Sequence, residues 1–592
     1  MPRLARKASQ CRLRTDRQRN ELTSFELPWY LTTNIFASEE PGFNNMEEAS
    51  IRRSITLKVI VCTLTLVPVC AESHAQRDAP AKSAYMVEMR DGARLATDVY
   101  LPEGADRWPV LLTRLPYDKN NLESAAANFV SLGYAVVAQD VRGTFASEGE
   151  FDAFESDGWG KNRDGYDTVV WIASQTWCNG KIGTFGGSAL GITQNLMAGA
   201  RPPNLVCQFV VVACSDFYSQ CAFQGGAFRE KMAVQWLTDR GAPDIADRWL
   251  EHPLKDKWWG LFDCERRHRW INVPAYNVGG WYDIFAFGSV NSFVGLQKHG
   301  NTGARGNQKL LMGPWTHGIN KREQGELVYP QNANTSKIDR DRIRWFDYWL
   351  KGDDNGITRE PPMTYYVMGD VDDPGAPGND WRRAKRWPPR SSQTKLYLQE
   401  GGKLARKKQN SSPDTYTFDP DDPVPTCGGQ NLVLPAGPMD QRQIGERSDI
   451  LKYETEPLVE PLEVTGRPSV TFYASSSGPD TDWVVKLVDV YPDGREMLVT
   501  DTILRARYRR SFTKPAFMKP GNIYLFDIDF WPTSIVFNRG HRIALHVTSS
   551  NYPRFAVNPN TCDGTSKQAA ENTIWHDRKH PSALELPVVE AE

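Results

Sequence analysis

From Tyr85 to about Gly352 the chain alternates two kinds of apolar pattern. One is the short, nearly continuous run: "WPVLLTRLPY" (108–117), "YAVVAQD" (134–140), "KIGTFGG" (181–187), "NLVCQFVVVACSD" (204–216), "INVPAYNVGGWYD" (271–283) and "KLLMGPWTH" (309–317). Strands covered on both faces give such runs, whereas half-exposed strands alternate. The other is helical spacing, as in "DGYDTVVWIASQ" (164–175). Alternating β and α segments predict a parallel sheet with helices on both faces. The segment 216–270 breaks this rhythm. It carries Trp236, Trp249, Trp258 and Trp259 and the charged "CERRHRW" (264–270), and its place after a sheet strand predicts a small helical cap over the sheet's carboxyl edge. "SKIDRDRIRWFDYWLKG" (336–352) predicts an amphipathic helix with Ile338, Trp345, Phe346 and Trp349 inward and Gly352 as its C-terminal cap.

Beyond Gly352 the period changes to two. "NIYLFDIDFWP" (522–532) sets Tyr524, Phe526, Ile528 and Phe530 against Leu525, Asp527 and Asp529, and "GHRIALHVTSS" (540–550) sets Ile543, Leu545 and Val547 against Arg542, Ala544 and His546. Many short alternating strands predict an antiparallel sandwich or jelly roll. The predicted organisation is an α/β domain over 76–215 and 271–352, a helical cap over 216–270, and a jelly-roll β-sandwich over 353–592, with the change near residue 355.

The first 75 residues belong to neither domain. Residues 1–45 are polar and basic with no period, which predicts a disordered segment or a translation start at Met46. Residues 46–75 have the layout of a secretory signal: Arg52, Arg53 and Lys58, the apolar run Val59–Val69, then Ser73-His74-Ala75. That run is shorter than the roughly 20 residues a spanning helix needs, so the expectation is a secreted or periplasmic protein with no stable membrane span. The formal charge of −2 supplies no field that would draw the chain to nucleic acid. Seven cysteines remain after residue 75. They form no C-x-x-C pair or zinc spacing, so neither metal nor cofactor is expected. Cys427 and Cys562, both in loops of the second domain, are the pair expected to form a disulfide. No pattern sets an oligomeric state.

Ligands of an open parallel sheet bind at the carboxyl ends of its strands. Four polar residues stand just after strand-like runs: Tyr117, Ser188, Asp283 and His317. A serine hydroxyl needs a base such as neutral imidazole, and a carboxylate to fix the imidazole tautomer. Glycines around Ser188 in "KIGTFGGSALG" permit the sharp strand-to-helix turn that exposes a nucleophile, and the N–H of Ala189 then serves as an oxyanion donor. A lone G-x-S-x-x-G is a weak signal, since a serine in a tight turn gives the same letters. Asp140 and Asp216 also follow strands and compete with Asp283; Asp140 is expected to pair with nearby Arg142. Of nine histidines, His317 alone follows a sheet strand downstream of the serine. His299 sits where a helix would end, His268 in the charged cap, and His541 and His546 in the sandwich.

The ordered motifs "RLPYDK", "DVRGTFASEGEF", "DGYDTVVWIASQTWCNGKIGTFGGSALG", "GGWYDIF", "GPWTHG", "RWFDYWLKG", "GPMDQRQIGERSDILKY" and "NPNT", spread from about residue 85 to 562, resemble the family that holds X-Pro dipeptidyl-peptidases, bacterial cocaine esterase, α-amino-acid ester hydrolases and glutaryl-cephalosporin acylase-like proteins. The resemblance implies an α/β-hydrolase domain with a C-terminal jelly roll, Ser188 as nucleophile with Asp283 and His317 as partners, and the Tyr117 phenol as second oxyanion donor beside the Ala189 N–H. Two departures bear on substrate. Ala189 stands where family members usually carry Tyr, and Phe285 and Ala286 occupy the positions that are acidic in hydrolases of α-amino esters. The extra N-terminal domain in which dedicated X-Pro peptidases resemble one another is not seen in this chain. The expected function is an exported serine hydrolase that cleaves a small ester or amide, or a short peptide, through an acyl-enzyme. The alternatives are X-Pro dipeptide release, β-lactam side-chain acylation and, outside catalysis, an inactive scaffold binding through its jelly roll. Mass spectrometry of the exported protein should give a mature chain beginning after Ala75; a chain retaining Met1 contradicts the signal.

Overall fold

The computed structural model describes residues 81–104 and 107–590; the segments expected at 1–45 and 46–75 lie outside the described residues. The first sheet has ten strands: β1 (Lys82–Glu88), β2 (Arg94–Tyr100), β3 (Trp108–Leu115), β4 (Ala135–Asp140), β5 (Cys178–Gly187), β6 (Leu205–Val211), β7 (Ala275–Gly280), β8 (Lys309–Gly313), β9 (Met363–Val367) and β10 (Asp380–Ala384). Their spatial order is β1-β2-β4-β3-β5-β6-β7-β8-β9-β10. The strands from β4 through β9 in that order run parallel, with antiparallel pairings only at the two edges. Helices α1 (Glu123–Ser131), α2 (Asp164–Ser174), α3 (Ala189–Ala200), α6 (Ala286–His299) and α7 (Lys337–Phe346) accompany it, while α4 (Glu230–Asp239) and α5 (Asp244–Glu251) belong to the cap.

The continuous apolar runs are explained by cover on both faces. Val110 and Leu112 of β3 pack in one cluster with Val169 and Ile172 of α2. Leu111, between them, packs in another with Phe129 of α1 and Phe346 of α7. Successive side chains of a strand point to opposite faces, so helices must flank both. After α7 a single π turn, Asp347–Lys351, ends at Gly352 with φ 91°, the left-handed stop expected there.

The boundary expected near 355 marks a change of sequence character but not of sheet. β9 and β10 lie beyond it and complete the first sheet, β9 parallel to β8. The second, thirteen-stranded sheet system begins at Ser391 and runs to Val589. The two domains share one core: Trp281, Tyr282 and Met312 of the first cluster with Phe472, Trp483 and Leu545 of the second. Within the second, Tyr524–Asp529 alternates in exposure as its sequence predicts. Arg542–Thr548 does not: it is covered on both faces, because it is an interior strand whose polar side meets buried groups, His546 among them.

Two further expectations are corrected. Cys427 and Cys562 are unpaired: the first is buried with its thiol directed to the Asp440 carbonyl, the second stands exposed on its loop. Asp140 does not pair with Arg142. Its carboxylate accepts the Lys119 N–H at 2.7 Å, while Arg142 forks onto Asp164 and Asp91.

A buried imidazole fastens the two domains. His541 Nδ1 meets Asp489 Oδ1 at 2.9 Å, and its Nε2 meets Oδ2 of Asp370, just past β9, at 3.3 Å. Burial disfavours the imidazolium, but the two carboxylates outweigh it and raise the His541 pKa above the ordinary 6.5. A raised folded-state pKa gives stability that is complete below pH 6.5 and fades as pH climbs through the raised value. The melting-temperature deficit of His541→Asn relative to the parent should therefore be larger at pH 6 than at pH 9; equal deficits at both contradict a charged staple.

Candidate active site

Ser188 sits between the last residue of β5 and the first of α3, with φ 57° and ψ −125°. A non-glycine residue rarely adopts this conformation, and it persists only where its surroundings enforce it. Here the Ser188 N–H is tied to the Val211 carbonyl at 3.0 Å, and its carbonyl accepts from Gly191 and Ile192 at 2.8 and 2.9 Å. Two glycines make the turn possible. A Cβ at Gly186 would stand 2.5 Å from the Leu190 Cβ, and one at Gly191 would stand 2.7 Å from the Ala213 Cβ. Leu190 thus folds back over Gly186, and the close approach of α3 to the strand beyond it falls to Gly191.

Asp283 and His317 follow neighbouring strands, β7 and β8. Their loops are laced together: Trp281 N–H donates to the Gly313 carbonyl at 2.9 Å and Tyr282 N–H to the Trp315 carbonyl at 3.0 Å. Gly280 permits this, since a Cβ there would lie 2.1 Å from the Trp315 carbonyl oxygen. The lacing sets Asp283 Oδ1 2.6 Å from His317 Nδ1, and His317 Nε2 lies 2.9 Å from Ser188 Oγ. Asp283 is wholly buried, whereas His317 keeps an edge toward solvent. The carboxylate selects the tautomer with hydrogen on Nδ1, leaving Nε2 to accept the serine proton.

Tyr117 lies just past β3. Its phenolic oxygen accepts a hydrogen bond from the Trp236 indole N–H at 3.0 Å, and the Arg240 guanidinium stands 4.9 Å from its ring centre. Burial pushes the phenol's pKa up, against the pull of Trp236, Arg240 and Ser188, so the group is a neutral donor at pH 7. An indole N–H can only donate; it occupies a lone pair of the Tyr117 oxygen and leaves that phenol's own hydrogen for another partner. Ala189 is the first residue of α3, where helical N–H groups lack intrahelical acceptors and the helix dipole favours negative charge.

The competing carboxylates are engaged elsewhere. Burial raises Asp140 to about 6 beside the Lys119 N–H, and Asp216 pairs with Lys255 at 2.6 Å in the cap. The aromatic wall next to Tyr117 is Trp236, with Phe154 stacked 5.8 Å from it and Phe151 at 6.0 Å. Trp258 instead stacks on His252. The Phe285 ring meets the His317 ring edge-on at 5.8 Å. Gln324 was not singled out by the sequence, yet its side-chain oxygen receives the Thr316 N–H at 2.7 Å and so steadies the histidine loop. Among the described residues, no helix is long and apolar enough to cross a membrane.

The profile of the X-Pro dipeptidyl-peptidase S15 family matches residues 91–244 and 237–319, and that of the X-Pro dipeptidyl-peptidase C-terminal non-catalytic domain matches 355–585. The chain is 34% identical over 586 residues to the cocaine esterase of Rhodococcus sp. (strain MB1 Bresler), covering 86% of this chain and 98% of that one. Among solved structures, an α-amino acid ester hydrolase labelled with selenomethionine is similar at TM-score 0.75 and 27% identity, over 86% of this chain and 97% of that one. An aminopeptidase from the marine sediment archaeon Thaumarchaeota archaeon is similar at TM-score 0.76 and 25% identity, over 89% and 99%. The chain belongs to the family of serine hydrolases that holds the X-Pro dipeptidyl-peptidases, cocaine esterase and the α-amino acid ester hydrolases, and it is an enzyme that hydrolyses ester or peptide bonds.

Proposed function

We propose that the protein is an exported esterase in which Ser188, His317 and Asp283 form the catalytic triad and the substrate's acyl group passes through an ester of Ser188. The observation that carries this is the continuous relay from Ser188 Oγ through His317 to the buried Asp283 carboxylate, at 2.9 and 2.6 Å. Ser188 Oγ attacks the substrate carbonyl as His317 Nε2 takes its proton, and Asp283 stabilises the imidazolium that forms. The carbonyl oxygen gains charge and is held by the Tyr117 O–H and the Ala189 N–H. His317 then gives its proton to the departing alcohol. Water, deprotonated by the same imidazole, attacks the acyl-serine; the acyl–Oγ bond breaks as His317 returns the proton to Ser188 Oγ, and the acid is released.

The walls favour an uncharged acyl group. Phe285 presses on His317, and Trp236, Phe151 and Phe154 continue the aromatic surface beside Tyr117. An α-ammonium group there would meet apolar rings in place of a carboxylate and would lose its hydration without compensation. Esters of apolar acids are thus the preferred class, ahead of X-Pro dipeptides, whose N-terminus is charged; β-lactam amides come third. Export rests on the basic and apolar layout of residues 46–75.

A fluorophosphonate probe should label the parent enzyme, and Ser188→Ala should abolish labelling; a labelled Ser188→Ala variant rejects the nucleophile. Tyr117→Phe should lower kcat by about 10²–10³, as loss of an oxyanion donor does. Trp236→Phe should cost less, and the double variant little more than Tyr117→Phe alone, because the indole acts through the phenol. Additive losses would assign the two side chains separate tasks. Among substrates, p-nitrophenyl esters of apolar acids should be turned over with kcat/KM well above Ala-Pro- and Gly-Pro-p-nitroanilide; the reverse order favours the peptidase reading.

A further inference from the structure

The side chains behind Asp283 come from outside the sheet that carries it. Arg229, at the N-terminus of the cap helix α4, is 1% exposed. Its Nη1 donates to the Ile284 carbonyl, one residue past Asp283, at 3.2 Å, and also to the Gln220 carbonyl in the cap. Its Nη2 lies 3.5 Å from the Gln430 carbonyl in the second domain, and its guanidinium stands 5.5 Å from the Trp531 ring centre. Gln430 is itself wholly buried and reaches back, donating to the Trp281 carbonyl at 3.4 Å. Tyr282 donates its phenol hydrogen to the Leu498 carbonyl at 3.1 Å. Thus the loop carrying Asp283 is held at residues 281, 282 and 284 by groups of the cap and the second domain.

Asp283 needs such support. It is fully buried, and its Oδ2 makes no hydrogen bond to the protein. A buried charge is costly unless paired or set near opposite charge. The charged and titratable groups acting on Arg229 are Arg554, Cys221, Asp283 and Asp501, and Asp501 is committed to Arg554 at 2.8 Å. Burial, aided by Arg554, lowers the Arg229 pKa to about 10 against the pull of the acids, which leaves it cationic at neutral pH.

We propose that Arg229 is a positioning residue for the triad: its buried guanidinium anchors the Asp283 loop to α4 and to the second domain. This rests on Asp283 being the triad acid, so the domain described as non-catalytic in the family acts on catalysis through one buried guanidinium. Arg229 also stands at the N-terminus of α4, the helix from which Trp236 reaches the Tyr117 phenol. The acid and the oxyanion tyrosine are therefore steadied from one point.

The test measures kcat, KM and the pH profile of kcat/KM on a p-nitrophenyl ester for the parent, Arg229→Met, Arg229→Lys and Asp283→Ala. Arg229→Met should lower kcat about tenfold to a hundredfold, the scale of a displaced catalytic group, with KM within about twofold of the parent. Removing a buried cation from behind the pair favours the imidazolium, so the acid limb of the profile should move up. Arg229→Lys keeps the charge but loses the fork. It should restore the limb while kcat stays depressed, a pattern that simple loss of packing does not produce. A folded Arg229→Met with parental kcat and limb overturns the proposal. If that variant does not fold, Arg229→Lys decides alone: parental kcat overturns the proposal, and a depressed kcat on an unshifted limb supports it. Asp283→Ala separates this from the underlying reading, since full activity there removes the triad assignment itself.

Discussion

The site depends on one close approach, that of the loops after β7 and β8 at Gly280 and Trp315. Parallel neighbours in a sheet place their carboxyl ends side by side but leave the loops beyond free to diverge. Here two backbone hydrogen bonds, from Trp281 to Gly313 and from Tyr282 to Trp315, keep them together past the ends of the strands. No side chain fits at Gly280 while that contact exists. Asp283 therefore enters the protein from a fixed backbone directly beneath His317, and their hydrogen bond forms without ordering two mobile loops. The serine is fixed independently by the turn into α3, so the relay is assembled from two rigid halves that meet at Ser188 Oγ and His317 Nε2.

Burial of Asp283 has consequences throughout the molecule. A carboxylate removed from water must have its charge compensated nearby, and among the described residues the ion-pair partner of Asp283 from the sheet is His317. The remaining contacts to its loop come from the cap and the second domain, whose cores merge with that of the hydrolase sheet through Trp281 and Tyr282. The His541 staple between Asp489 and Asp370 lies on the same boundary. A polar, bonded interface of this kind resists sliding more than an apolar one, since every displacement unpairs buried groups.

The legibility of the fold in the sequence follows from which physical facts are local. Continuous apolar runs reported the parallel strands, and polar residues ending those runs reported Tyr117, Ser188, Asp283 and His317, because strand burial and strand ends are written in consecutive residues. The choice among Asp140, Asp216 and Asp283 was not written there: all three end strands, and only the neighbours in space distinguish them. Lys119 and Lys255 hold the first two. The same limit explains Arg542–Thr548, whose polar side alternates in sequence but faces buried groups, and β9 and β10, whose partner sheet is decided by an edge no local pattern describes. Cys427 and Cys562 share loop chemistry but not a neighbourhood. Trp236 was legible only as one of the cap's tryptophans, and Arg229, whose contacts reach the second domain, leaves no local mark in the chain.

Under the proposed mechanism, rate and specificity are coupled by where the two oxyanion donors originate. The Ala189 N–H belongs to the backbone of α3, so a change of its side chain leaves that N–H in place. The Tyr117 phenol is different. Its oxygen accepts the Trp236 N–H, which leaves the phenol hydrogen for another partner, and Trp236 is in turn stacked with Phe154. The cap therefore cannot vary freely as a specificity element. A substitution at Trp236 also disturbs the Tyr117 phenol, the proposed oxyanion donor, while a change at Ala189 leaves its backbone N–H in place. Under the proposed mechanism, the hydrogen bond from Trp236 to Tyr117 thus holds the cap to its aromatic character at this point.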